Sequence, residues 1–266
     1  MKKSLLASLF AVAACVQAHE LWVSAPAKIA ADETLKGEIG YWRGFPKAEP
    51  IQQDRVHFFK PLQLIGLDGK LVQDLTQEGE NQQYVAKEKI GKGVYWLVAT
   101  HKPIIWSKKD KDFIEKNLKE MPDAKICKQT QRFGKSLLVV DDAPVDVAVI
   151  SQPIGLVLEI VPLADPNQAK ADALFPLQVF YDGKPLAGAL VSATADTFVA
   201  KDAEGMQAYR EPQAFSLKTD KEGKVNLIPL LEGQWKVKVS YQKPYEDPSI
   251  CTEHNISSSL IVHVGK

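Results

Sequence analysis

Apolar and polar residues alternate over short stretches along most of this chain, and the stretches break at Gly, Asp or Pro. Period-2 alternation sends successive side chains to opposite faces of a strand, so each stretch predicts a strand with one apolar face. Thr34 to Tyr41 reads this way, and Gln234 to Tyr241 puts Trp235, Val237 and Val239 on one side. Three segment pairs read as hairpins: Leu62–Leu67 with Lys70–Leu75 around Asp68-Gly69, Leu174–Tyr181 with Lys184–Ala195 around Asp182-Gly183, and Ser216–Thr219 with Lys224–Leu230 around Asp220–Gly223. Gly93–Thr100, Ser136–Val140, Leu156–Pro162 and Ser259–Val264 are apolar enough for buried strands. Arg55–Pro61 is expected as a strand in which Arg55, His57 and Phe59 share a face. The one helical pattern is Lys109–Met121, with Phe113 and Leu118 spaced for one side and Pro122 as the stop. The expectation is an all-β protein: two antiparallel immunoglobulin-like β-sandwich domains in tandem, with one short helix in the first. The texture changes near Pro153, which places the domains at 19–152 and 153–266.

The first residues follow a different pattern. Lys2-Lys3, an apolar run from Leu5 to Val16 and small residues ending at Ala18 have the form of a secretory signal peptide, 1–18. The apolar run is shorter than the ~20 residues a spanning helix needs. Cleavage after Ala18 makes His19 the first residue of the mature chain. An N-terminal histidine carries an α-amine (pKa ~7.7–8.0) and an imidazole (~6.5), both available as nitrogen donors near neutral pH. Such a pair can chelate a late first-row divalent metal, Ni²⁺, Co²⁺ or Cu²⁺. The competing reading of this region is a lipoprotein box, Val12-Ala13-Ala14-Cys15, with lipidation at Cys15.

Charge adds an exclusion. The 33 basic and 33 acidic residues balance, and loss of Lys2 and Lys3 leaves the mature chain at −2. No basic field is present to draw nucleic acid, and no later apolar run approaches a membrane span. The expected location is periplasmic, an oxidising compartment. Cys127 and Cys251 then read as one long-range disulfide, with two separate buried thiols as the alternative.

The remaining histidines are candidate further ligands. His57 is the preferred partner of His19, from the same predicted domain, against the alternative of a sheet residue packed beside Phe59. His101 stands where a strand is expected to end, His254 follows Cys251 by three residues, and His263 alternates with Val262 and Val264. Trp96 and Phe58 read as core, whereas Trp42-Arg43-Gly44-Phe45 reads as a loop bordering a pocket or partner surface. There is no phosphate-binding Gly-rich loop, no nucleophile elbow, and no Ser/His/Asp or Cys/His arrangement to argue for catalysis. The chain is therefore expected not to be an enzyme.

Several segments together carry a family resemblance. The signal running into Ala18-His19-Glu20-Leu21-Trp22, the Gly93-Val94-Tyr95-Trp96 strand followed by Pro103 and Trp106-Ser107-Lys108, and Leu158-Glu159-Ile160-Val161-Pro162 resemble a bacterial periplasmic domain-of-unknown-function family of nickel and cobalt transport accessory proteins (NikK-like or NikM-like). The second half, through Asp182–Ala189 and Thr219–Lys224, is similar to transthyretin-like or carboxypeptidase-regulatory-like sandwiches. The resemblance implies metal capture or delivery outside the inner membrane, peripheral contact with a metal transporter, and a mature N-terminal histidine matching His19. Two other classes compete: a non-catalytic protein- or glycan-binding module in which His19 is incidental, and a histidine-brace copper monooxygenase.

Overall fold

The structure, a computed structural model, describes residues 20–42, 45–199 and 213–266. The first half contributes β1 (Glu20–Ser24), β2 (Lys28–Ile29), β3 (Lys36–Trp42), β4 (Gln63–Gly66), β5 (Leu71–Asp74), β6 (Thr76–Gln77), β7 (Gln83–Val85), β8 (Gly93–Lys108) and β9 (Ile126–Val140). The second contributes β10 (Leu158–Pro162), β11 (Ala169–Lys170), β12 (Phe175–Tyr181), β13 (Lys184–Pro185), β14 (Leu190–Ala195), β15 (Phe215–Lys218), β16 (Lys224–Leu227), β17 (Gly233–Pro244) and β18 (Glu253–Gly265). Among the described residues, helix is confined to one 3-10 segment, Gln53–Phe58, and two single turns, α1 (Val147–Ile150) and α2 (Asp196–Val199).

The strands form three layers. A ten-stranded sheet, ordered β15-β14-β17-β18-β9-β8-β4-β5 with β2 and β11 added at its side, is the middle one. The sheet β1-β3-β7-β6 covers part of one face, and the sheet of β10, β12, β13 and β16 covers part of the other. Consecutive residues of β8 therefore face different cores. Trp96 and Val98 join the core shared with β10 and β12, whereas Leu97 and Ala99 join the core under β1 and β3. A strand buried on both sides loses the polar half of its alternation, which is why Gly93–Thr100 and Ser136–Val140 read as continuous apolar runs.

The all-β sandwich architecture agrees with the alternation in the sequence, but four local features differ. The sheet is not purely antiparallel: β18 runs parallel to β9, from Glu253 opposite Lys128 to Leu260 opposite Lys135, and β2 and β11 also pair in parallel. This β9–β18 seam carries the middle sheet from one side of residue 153 to the other. Residues 53–58 are a 3-10 helix rather than a strand, because adjacent Phe58 and Phe59 are both buried and an extended chain would send them to opposite sides. The expected helix over 109–121 is absent. An isolated bridge between Ser107 and Ile114 and the Leu118 amide donating to the Ile250 carbonyl hold that segment as a loop. Finally, β15 and β16 do make the Asp220–Gly223 turn but not a hairpin, since β15 pairs with β14 in the middle sheet and β16 with β12 in an outer one.

Cys127 and Cys251 form a disulfide at the start of the parallel seam. Thr252 also donates its hydroxyl to the Cys127 carbonyl at 2.6 Å, so covalent and hydrogen-bonded ties coincide there.

Candidate functional site: the anchored first strand

Strand β1 is the first element of the described residues. It pairs antiparallel with β3, from Glu20 opposite Trp42 to Ser24 opposite Glu38, and lies across the face of the middle sheet. Two glycines make the close approach possible. The ring of Trp22 lies over Gly40, where an added Cβ would sit 1.9 Å from a ring carbon, and its backbone lies over Gly134, where a Cβ would come within 2.9 Å of the Trp22 Cα. Ser259 donates its hydroxyl to the Leu21 carbonyl at 2.6 Å and ties β1 to β18.

Glu20 is gripped by β17. Its carboxylate accepts hydrogen bonds from the ammonium groups of both Lys236 and Lys238. Burial alone would push this carboxyl up; the two lysines outweigh it and hold the group at about 2, well below its ordinary value. Lys236 is itself buried and packs its ammonium 4.8 Å from the Trp22 ring centre and 4.9 Å from that of Phe45, which meets Trp22 edge-on. Arg132 of β9 is a third cation nearby, half-buried and drawn electrostatically to Tyr41 and Glu20. Phe45, expected to border a pocket, is fully buried in this cluster. Arg43 and Gly44 lie outside the described residues, as does the Trp42 side chain.

His19, the principal expected ligand, lies outside the described residues, as do the signal peptide and Cys15. His57 is exposed on the 3-10 segment rather than half-buried on a strand, with Nε2 3.5 Å from a Glu115 carboxylate oxygen. The segment reaches towards β1 through Arg55, which hydrogen-bonds Tyr41, the cross-strand partner of Leu21. Strand β8 does not end at His101. The ring is walled in by Tyr41, Phe58 and Phe59, and its Nδ1 donates to the Lys102 carbonyl at 2.7 Å. Burial first, then the nearby Arg132 charge, lowers this imidazole to about 3 and keeps it neutral. His254 stands opposite Gln129 across the seam, and His263 opposite Gln234 on β17. Burial lowers both imidazoles. Among the described residues no three His, Cys, Asp or Glu side chains converge as a metal site would require.

The grip of Lys236 and Lys238 on the first strand was not among the sequence expectations. Its trace was present: Lys236 and Lys238 alternate with Trp235, Val237 and Val239, which gives one face of that strand to cations.

These features define an all-β layered sandwich whose first strand is anchored, through its leading carboxylate, to strands from the far end of the chain. The chain belongs to the family described as Domain of unknown function (DUF4198), which matches residues 16–243. No curated protein matches it. Solved structures with similarity include a Salmonella alpha-2-macroglobulin mutant, at 13% identity, 91% of this chain, 15% of that chain and a TM-score of 0.26. The D00-D0 domain of Intimin follows at 14% identity, 92% and 100% coverage and a TM-score of 0.21. Fibronectin(III)-like modules of Clostridium thermocellum CbhA show 11% identity, 91% coverage of each chain and a TM-score of 0.20. The chain spans 15% of the length of the macroglobulin.

Proposed function

We propose that the mature protein binds a divalent transition metal, nickel or cobalt or else copper, through His19, and serves its uptake or handling in the periplasm. The observation that carries this reading is the fixation of β1. Glu20 is clamped by Lys236 and Lys238, so cleavage after Ala18 leaves a single residue, with its α-amine and imidazole, on an immobilised strand. Pre-organisation of that kind lowers the ordering cost of binding. The Glu20 carboxylate is occupied by two ammonium groups, so the ligand set rests on nitrogen donors, with His57 the candidate further imidazole. Nitrogen donors favour Cu²⁺ over Ni²⁺ and Co²⁺ in intrinsic affinity, so selection in the cell would rest on metal supply and on a transporter partner at the inner membrane.

The test compares two forms of the protein: one processed through its own signal, its N-terminus verified by mass, and one carrying an extra residue before His19. Each is titrated with Ni²⁺, Co²⁺ and Cu²⁺. Tight 1:1 binding by the processed form, lost in the extended form and weakened by His57→Ala, is the expected result. Equal binding by both forms, or by neither, would overturn the N-terminal site.

A further inference from the structure

A second site is built on the middle sheet, where the first half meets the residues after 153. Strand β8 carries one extra residue against β9 between His101, opposite Arg132, and Ile104, opposite Thr130. Such a bulge re-aims side chains. Here the hydrogen bond from His101 Nδ1 to the Lys102 carbonyl fixes it, and Lys102 turns onto the wall of a cleft of about 290 Å³. Phe59 bridges to His101, and the Lys60 amide donates to the Thr100 carbonyl at 3.0 Å, which lays Lys60 along the same wall. Among the described residues, Lys60 and Lys102 are the only charged side chains lining the cleft. Thr100 and Gln131 supply hydroxyl and amide groups beside them, and Val98 and Phe133 an apolar floor.

The opposite wall is the backbone around Ile154 to Val157, and it is rigidly held. The Glu159 carboxylate accepts from the Ile154 amide at 3.1 Å and from the Leu156 amide at 3.2 Å. Glu159 in turn is paired with Lys135, and both side chains are out of contact with solvent. A buried ion pair costs heavy desolvation, and apolar residues of the same volume would often serve stability as well. In this position it shapes the wall of a cavity.

We propose that this cleft binds a small organic carboxylate, its acid group received by Lys60 and Lys102 and its apolar body resting on Phe133 and Val98. Two like charges are brought to one wall by backbone pairing with no carboxylate side chain lining the cleft to answer them, which fits an anionic ligand. The apolar floor selects an organic acid over an inorganic anion. The volume lies at the small end of ligand pockets, which span roughly 300–1,000 Å³. This site is separate from the N-terminal metal site and does not depend on it.

The test is titration of the ¹⁵N-labelled mature protein with sodium benzoate, with benzamide as the neutral probe of the same shape, read from backbone amide shifts at low ionic strength. The expected result is saturable shifts at Ile154–Val157 and Gln131–Phe133 with benzoate, a Kd of about 1 mM or tighter, and no saturation with benzamide. A Lys60→Gln/Lys102→Gln variant, its remaining spectrum unchanged, should bind benzoate at least about tenfold more weakly, as loss of charge-assisted hydrogen bonds predicts. If the double variant does not fold, each single variant should show part of that loss. Equal response to benzamide, unaltered binding by the lysine variants, shifts confined to another region, or no saturation by benzoate would each overturn the proposal.

Discussion

Glu20 shows how much a single side chain can carry. Its carboxylate lies against two ammonium groups, one of them on the fully buried Lys236, and removing the carboxylate takes a negative charge away from a buried cation. Glu20→Gln should therefore lower stability by about 3 kcal/mol at neutral pH, measured by urea unfolding. The pH dependence has a definite sign. The folded-state value of about 2 lies below the ordinary 4.5, so the stabilisation is complete above about 4.5 and drains away as the pH falls towards 2. The gap between wild type and variant should close over that window, and a gap that stays constant would show that the charge is not what holds the strand. The identity of Glu20 was plain in the sequence, but its role was not. Its partners stand 216 and 218 residues away, beyond any local pattern.

The elements that the sequence displayed well are those whose burial is one-sided or complete. Alternation located β3 and β17, the Asp-Gly turn located β4 and β5, and apolar runs located the middles of β8 and β9. The elements that misled are governed by distant ties. Arg55, His57 and Phe59 alternate like a strand, yet the consecutive aromatics Phe58 and Phe59 both seek the core and turn the chain. The 109–121 stretch has helical spacing, but the Phe113 ring is held by the ammonium of Lys128 at 4.3 Å and that of Lys108 at 5.3 Å instead of facing a helical neighbour. The disulfide beside that loop closes 124 residues of chain. Replacing both cysteines by alanine should cost up to about 4–5 kcal/mol in the chain-entropy picture, seen as a fall in the urea midpoint. Reducing agent should destabilise the wild type and leave the variant unchanged.

At the scale of the whole molecule, the alternation conveyed an all-β sandwich but not the way its halves are joined. Parallel pairing leaves no turn signature in the sequence, so the β9–β18 seam was invisible there, and the change in texture near Pro153 marked only a boundary between two domains in tandem. With one sheet running through both halves, unfolding should be a single cooperative transition, with coincident fluorescence and circular dichroism curves. Residues 19–152 produced alone would expose the long edge of β9 and should aggregate or remain unfolded. Two separate transitions, or a well-folded fragment, would refute that coupling. The proposed metal site was read only from the signal-like segment and His19, because it would depend on a cut in the chain rather than on a packed constellation.

The anchoring of β1 also sets an order of events. A chain made from its N-terminus presents Glu20 early, while Lys236 and Lys238 are among the last residues to be made. The first strand can pair with β3 soon after it emerges, but it cannot be locked until the final strands arrive. Throughout synthesis β1 thus lacks the ion pairs that fix its leading carboxylate. Completion of the chain ends that interval, so the last strands to be made are the ones that fix the first.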